Sequence, residues 1–139
     1  MKKKAEDKPV DVLLNELKNP AVYVRRTAIM RLEKKKAVQA LPMLMELARD
    51  SEASIRSCAA WALGQMGQAE AQPLLTQLLQ DFDSSVRRAA ALGLGAMASP
   101  SALEALGPLG YDADRYVREA AKGAVHDIER RASLAASKR

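Results

Sequence analysis

Asp81-Phe82-Asp83-Ser84-Ser85-Val86-Arg87-Arg88-Ala89-Ala90-Ala91-Leu92-Gly93-Leu94-Gly95 is the stretch that decides how this chain folds. Its main features return at a fixed distance in both directions. Val24-Arg25, Ile55-Arg56, Val86-Arg87 and Val117-Arg118 follow one another every 31 residues, without insertion. The same period aligns Ala28, Ala59, Ala90 and Ala121; Leu32, Leu63, Leu94 and Val125; and Leu13, Leu44, Leu75 and Leu106. Asn19, Asp50, Asp81 and Asp112 form a further column. Several columns in one register mark a repeat architecture, in which stacked units share a core that none can bury alone.

Each unit reads as two helices. In the second, Val38, Leu41, Leu44, Met45, Leu47 and Ala48 recur at helical spacing, and Asp50-Ser51-Glu52 interrupts. Ile55, Ala59, Ala62, Leu63 and Met66 then give a second stripe that ends near Gly67. The Asn/Asp column stands just before each second helix, where a short acceptor can cap free N–H groups. Asn19-Pro20 reads as a cap followed by a first-turn proline. Pro42 and Pro73 share a position early in the first helix and are expected to bend it. Pro108, within Gly107-Pro108-Leu109-Gly110, should end the fourth first helix early. The predicted pairs are about 9–18 with 20–35, 37–49 with 52–67, 68–80 with 83–98, and 100–110 with 113–135. A basic flexible tail is expected at 1–8, a repeat domain at 9–135 (units about 9–36, 37–67, 68–98 and 99–135), and a basic tail at 136–139.

Composition agrees. The 139 residues suit one domain, 48% are hydrophobic, and only 4% are aromatic, which argues against an all-β fold. Cys58 is the only cysteine, so no internal disulfide forms and a reducing cytoplasm is the expected setting. No apolar run is long enough to span a membrane. Lys2-Lys3-Lys4 leads into polar Ala5-Glu6-Asp7-Lys8-Pro9, where a signal peptide would turn apolar. The net charge of +5 belongs to the ends: residues 9–129 hold 14 basic and 15 acidic side chains, a net of −1. A folded nucleic-acid platform concentrates basicity on a structured face, so this balance speaks against one.

The unit Asp-x-x-x-x-Val/Ile-Arg-x-x-Ala-Ala-x-x-Leu-Gly, seen from Asp81 to Gly95 with a shift of one column, resembles HEAT-like repeats. The nearest kind is the short form named after phycobilisome lyases, and the likeness runs over about residues 9–130. It implies an all-α, right-handed α-solenoid of four two-helix repeats with a 31-residue period. Second helices would line the concave side and first helices the convex side. Some HEAT-repeat enzymes hold iron through His-Glu pairs in several units; this chain has one histidine, His126, and no such pair. The first unit departs from the pattern, with Glu33 where Gly64 and Gly95 stand, followed by Lys34-Lys35-Lys36.

Two sets of side chains call for a role. Arg25, Arg56, Arg87 and Arg118 are expected to pair with the Asn19, Asp50, Asp81 and Asp112 column as a ladder between units. Gripping phosphates is their alternative use. Val24, Ala28, Leu32 (or Arg31) and Lys35 mark the inward stripe of the first second-helix. The opposite face carries Tyr23, Arg26, Met30, Ser57, Trp61, Arg88, Leu92, Tyr116 and Glu119. Met30, Trp61 and Leu92 share one column, a ridge centred on Trp61, and Trp, Tyr and Arg are the types that dominate interfaces. The plainer alternative is that these side chains fill gaps between helices. Cys58 falls in a column of small residues. No catalytic set, metal site or cofactor site can be assembled, and Gly93-Leu94-Gly95 follows no strand, so it is no phosphate loop.

The expected function is a non-catalytic protein-interaction module, an adaptor or scaffold, that binds another protein on its concave face as a monomer or weak homodimer. The alternative is a subunit of a bilin lyase, Arg26 and Arg88 meeting propionates. Nucleic-acid binding is the third reading. No cofactor, small molecule or membrane enters the first.

Overall fold

Among the described residues, 7–139 of a computed structural model, every regular element is helical. Four hairpins follow in order: α1 (Val10–Glu16) with α2 (Val22–Lys34), α3 (Leu41–Leu47) with α4 (Ala53–Met66), α5 (Gln72–Leu78) with α6 (Ser84–Met97), and α7 (Leu103–Leu106) with α8 (Arg115–Ser137). The expected tail at 1–8 lies outside the described residues except for Asp7 and Lys8. Lys8 pairs with Glu16, and Asp7 lies 3.8 Å from Lys35. At the other end α8 takes in Ala136 and Ser137, which the sequence reading left as tail.

The first helices are shorter than their stripes suggest. Val38–Ala40, Ala69–Ala71 and Pro100–Ala102 form 3-10 turns before α3, α5 and α7. Pro42 and Pro73 therefore fall in the first turn of α3 and α5, where the missing N–H has no intrahelical partner to lose. They start these helices and do not bend them. The 3-10 turn Gly107–Tyr111 holds Pro108 and leaves α7 four residues.

The capping expectation is corrected by two residues. The N-caps of α2, α4, α6 and α8 are Ala21, Glu52, Asp83 and Asp114, two residues beyond the Asn/Asp column. Asn19 Oδ1 accepts from the Ala21 N–H, and Asp50, Asp81 and Asp112 accept likewise from Glu52, Asp83 and Asp114, each at 2.9 Å. These are Asx turns that aim the chain into the helix. True side-chain caps come from Asp83 onto the Ser85 N–H and from Asp114 onto Tyr116 and Val117.

Leu13, Leu44, Leu75 and Leu106 are fully buried, as are Ile55, Val86 and Val117. Each first helix packs on its own second helix. Second helices pack on one another along the series α2, α4, α6, α8, while successive first helices barely touch. Contact between units therefore runs chiefly through the second helices, which form one continuous wall of the stack.

Glycine permits the closest approach. A Cβ added to Gly64 of α4 would stand 2.1 Å from the Gly93 Cα of α6, and one on Gly95 would stand 2.9 Å from the Ala124 Cβ of α8. The second helices close with left-handed residues at one repeat position: Lys36 (φ 53°), Gly67 (φ 69°) and Ala98 (φ 55°). The next residue in that series, Glu129, lies within α8, which runs on.

Candidate functional site

Position 30 and its repeats lie on the side of the second helices away from the core. Met30, Trp61 and Leu92 accordingly remain 53%, 39% and 37% exposed. They form an apolar ridge across α2, α4 and α6. Arg26, Ser57 and Arg88 line the same hollow of about 330 Å³. Six of the nine side chains picked from sequence thus meet in one place. The Arg88 guanidinium carbon sits 5.9 Å from the centre of the Tyr116 ring, within reach of a cation–π contact. Glu119 faces another hollow, with Leu92 and Asp127, and pairs with Arg115 at 3.0 Å. Tyr23 is exposed and lines neither hollow.

A larger hollow, about 600 Å³, joins the first through Met30 and Trp61. Its rim is Arg31, Glu33, Lys34 and Lys35 at the C-terminal end of α2. Lys35, which the sequence reading placed on the inward stripe, is exposed here. The near-neutral balance of residues 9–129 hides this local basic cluster. The signal that could have found it is the loss of the glycine pattern at Glu33-Lys34-Lys35-Lys36.

The arginine column lies on the turn edge, apart from the ridge. Arg56 Nε and Nη2 donate to the two Asp81 oxygens at 3.0 Å each. Arg87 does the same to Asp112, at 2.9 and 3.0 Å. Arg25 reaches Asp50 through Nη2 at 3.6 Å, and its Nε is buried without a partner among the described residues. Each Nη1 also donates to the carbonyl of its own unit's column: Arg25 to Asn19, Arg56 to Asp50, Arg87 to Asp81 and Arg118 to Asp112. Arg118 makes only this last kind of tie to the column, and Asn19 keeps its Asx turn.

The Arg87 hydrogen bond holds the Asp112 carboxyl below the usual range. Burial pushes Asp81 up, but bonds from Arg56 and the Asp83 N–H outweigh it and hold that carboxyl low as well. Burial pushes the Cys58 thiol up, and its Sγ donates to the Arg26 carbonyl at 3.7 Å. Cys58 is therefore a packed thiol without thiolate character at neutral pH.

The iron-holding His-Glu pairs of some HEAT-repeat enzymes have no counterpart. His126 is exposed on α8, and among the described residues no three His, Cys, Asp or Glu side chains gather as metal ligands. The side chains present do not fit such a centre, and no step is derived through one.

A model of HEAT repeats matches residues 10–84 and again 64–126. The chain belongs to the HEAT-repeat family. The match is to HEAT repeats in general and does not single out the phycobilisome-lyase form, on which the bilin reading rested. HEAT repeats serve broadly as protein-interaction surfaces. No curated protein sequence matches the chain. Among solved structures, human deoxyhypusine hydroxylase in complex with glycerol is similar at 29% identity and a TM-score of 0.74. The match covers 91% of this chain and 45% of that one, so the chain spans less than half of that enzyme's length. This finding corrects the expectation that the chain is not an enzyme, because an enzyme carries the same repeat fold at that identity. No helix among the described residues is long and apolar enough to cross a membrane.

Proposed function

We propose that the inner wall formed by α2, α4, α6 and α8 takes up a segment of another protein in the cytoplasm. The single observation that supports this reading is the ridge Met30–Trp61–Leu92. It is three large apolar side chains in adjacent units, all solvent-accessible on the wall of second helices. Covering the exposed part of Trp61 alone would contribute about 2–3 kcal/mol. Ser57 offers a hydroxyl at the ridge, Tyr23 and Tyr116 flank it at the N-terminal ends of the second helices, and Glu119, ion-paired with Arg115, stands at the α8 end.

Affinity capture from a source lysate, run with wild type, Trp61→Ala, Met30→Ser and Tyr111→Ala, tests this. Tyr111 is exposed and off the ridge. The same band should be captured by wild type and Tyr111→Ala and lost with both ridge variants, while circular dichroism shows all four folded. Capture by all four alike would remove the ridge from the account. Trp61 is more than half covered, so its truncation also lowers the melting temperature; Met30→Ser, at the more exposed site, separates the two effects.

A second reading is favoured by the similarity to deoxyhypusine hydroxylase. In it the chain supplies part of a hydroxylase-like solenoid, and the same wall presents the residue to be modified. Titration of the full chain with a deoxyhypusine-bearing substrate, read by the emission of Trp61, tests it.

A further inference from the structure

The wall of second helices is not electrically uniform. Around the ridge at α2 and α6 stand Arg26, Arg31, Lys34 and Arg88, none of which is ion-paired among the described residues. Glu33, the one acid at that rim, is already answered by Lys36 at 3.1 Å. Toward α8 the unpaired cations give way to ion pairs: the hollow beyond Leu92 is edged by Glu119, paired with Arg115 at 3.0 Å, and by Asp127, 4.0 Å from Arg130. Four unneutralised cations beside an exposed indole attract carboxylates, and partial exclusion of water at the ridge strengthens that attraction.

We infer that the occupant of this wall is an acidic amphipathic segment of a partner protein. Its apolar side chains lie on Met30, Trp61 and Leu92, and its carboxylates face Arg26, Arg31 and Lys34 of α2 and Arg88 of α6. The inference rests on the protein-binding reading above and adds the chemistry of what is bound. Reach fixes the length. Neighbouring helices stand about 8–10 Å apart, so Arg26 and Arg88, two helices apart, are separated by about 20 Å. A helix covers that in about 13 residues and an extended chain in about 6. A nucleic-acid strand fits worse, because its uniform negative charge finds unpaired cations at α2 and α6 but only ion pairs toward α8.

The test is a phage-displayed random library of peptides of about 15 residues, selected against the full chain, with the consensus peptide then synthesised. The inference expects a consensus rich in Asp and Glu with aliphatic or aromatic residues between them. Binding should shift the emission of Trp61. It should weaken about tenfold in the Arg26→Glu/Arg88→Glu double variant, and similarly in Lys34→Glu. These side chains are exposed, and circular dichroism checks that the variants fold. A neutral or basic consensus that still shifts Trp61 emission would sink the acidic occupant and leave the protein-binding wall standing. Peptides indifferent to Trp61 and to both charge reversals, or a library without binders, would sink both. An oligothymidylate that binds more tightly than the best peptide would replace the acidic segment with nucleic acid.

Discussion

The seam between α2 and α4 and the seam between α4 and α6 come from the same repeat, yet they do not close alike. Between α4 and α6, Gly64 meets Gly93 so closely that one added Cβ would fall 2.1 Å from backbone. The rung on that seam, Arg56 with Asp81, is two-pronged at 3.0 Å. Between α2 and α4 the corresponding positions, by the 31-residue period, hold Glu33 and Ala62. Both carry side chains, so the helices stand further apart. The rung stretches to a single 3.6 Å approach and Arg25 Nε is left without a partner. The hollow of about 600 Å³ lies beside this seam. The two seams thus differ at both positions of the crossing, Gly64 with Gly93 on the tight one and Glu33 with Ala62 on the open one.

The largest expected effect comes from wedging the tight seam. Gly64→Leu must displace the Gly93 backbone, which has nowhere to go, and should destabilise by about 3 kcal/mol. Gly123→Ala is its counterpart, because Gly123 is exposed on α8 and nothing stands within 4 Å of a Cβ there. That change should stabilise by about 0.5–1 kcal/mol through helix propensity alone. Urea titrations of both variants check the contrast. A Gly64→Leu protein as stable as wild type would mean that the close crossing is not what holds α4 to α6.

The rungs come next. Asp81→Ala strands the Arg56 guanidinium and should cost about 1–3 kcal/mol. Arg25→Ala removes the single 3.6 Å approach to Asp50 and the Nη1 bond to the Asn19 carbonyl at 2.9 Å, and should cost about 1 kcal/mol, less than the loss at the two-pronged rung. Equal losses at the two rungs would erase the difference between the seams. The rungs also set an acid limit. Asp81 and Asp112 are held low in the folded chain, so their contribution is complete above the unfolded carboxylate value of about 3.9. It is lost as pH falls through the lower folded values. Thermal midpoints should stay level from about pH 7 to 5 and fall below about pH 4. Asp81→Asn should flatten part of that fall.

The period made the fold legible, because columns such as Leu13–Leu44–Leu75–Leu106 carry both the helical spacing and the stacking in their residue types. The ridge was legible as well, since Met30, Trp61 and Leu92 sit opposite the buried alanine and leucine columns. What stayed hidden was set by distances between units. The Asn/Asp column looked like helix caps because an Asx turn and an N-cap ask for the same short acceptor, two residues apart. Pro42 looked like a bend because a 3-10 turn leaves no apolar period of its own. The open seam needed the spacing of α2 from α4, and a summed charge over residues 9–129 averages the cluster at Arg31, Lys34 and Lys35 with acids elsewhere. Shared fold with an enzyme is invisible to a search for catalytic side chains, since the repeat carries architecture in its columns and chemistry, where present, outside them.

Glu33→Gly asks whether that one position opens the seam. Removing the side chain lets α2 approach Ala62 of α4. The glycine costs about 1 kcal/mol of helix propensity, and the packing regained offsets a similar amount, so stability should change by less than about 1 kcal/mol. The readout is elsewhere. Trp61 is the only tryptophan and lines the hollow beside this seam, so its fluorescence reports the seam directly. Closure should cover more of the indole, move its emission to the blue and reduce quenching by added acrylamide. Lys36, freed from Glu33, keeps its 3.5 Å bond to the Gln65 carbonyl and so does not pull the seam apart. Gln in place of Glu33 separates size from charge, because it keeps the bulk and should leave the emission where it is. A blue shift with Glu33→Gln, or none with Glu33→Gly, would put the cause of the open seam in the charge of α2 and not in the volume at position 33.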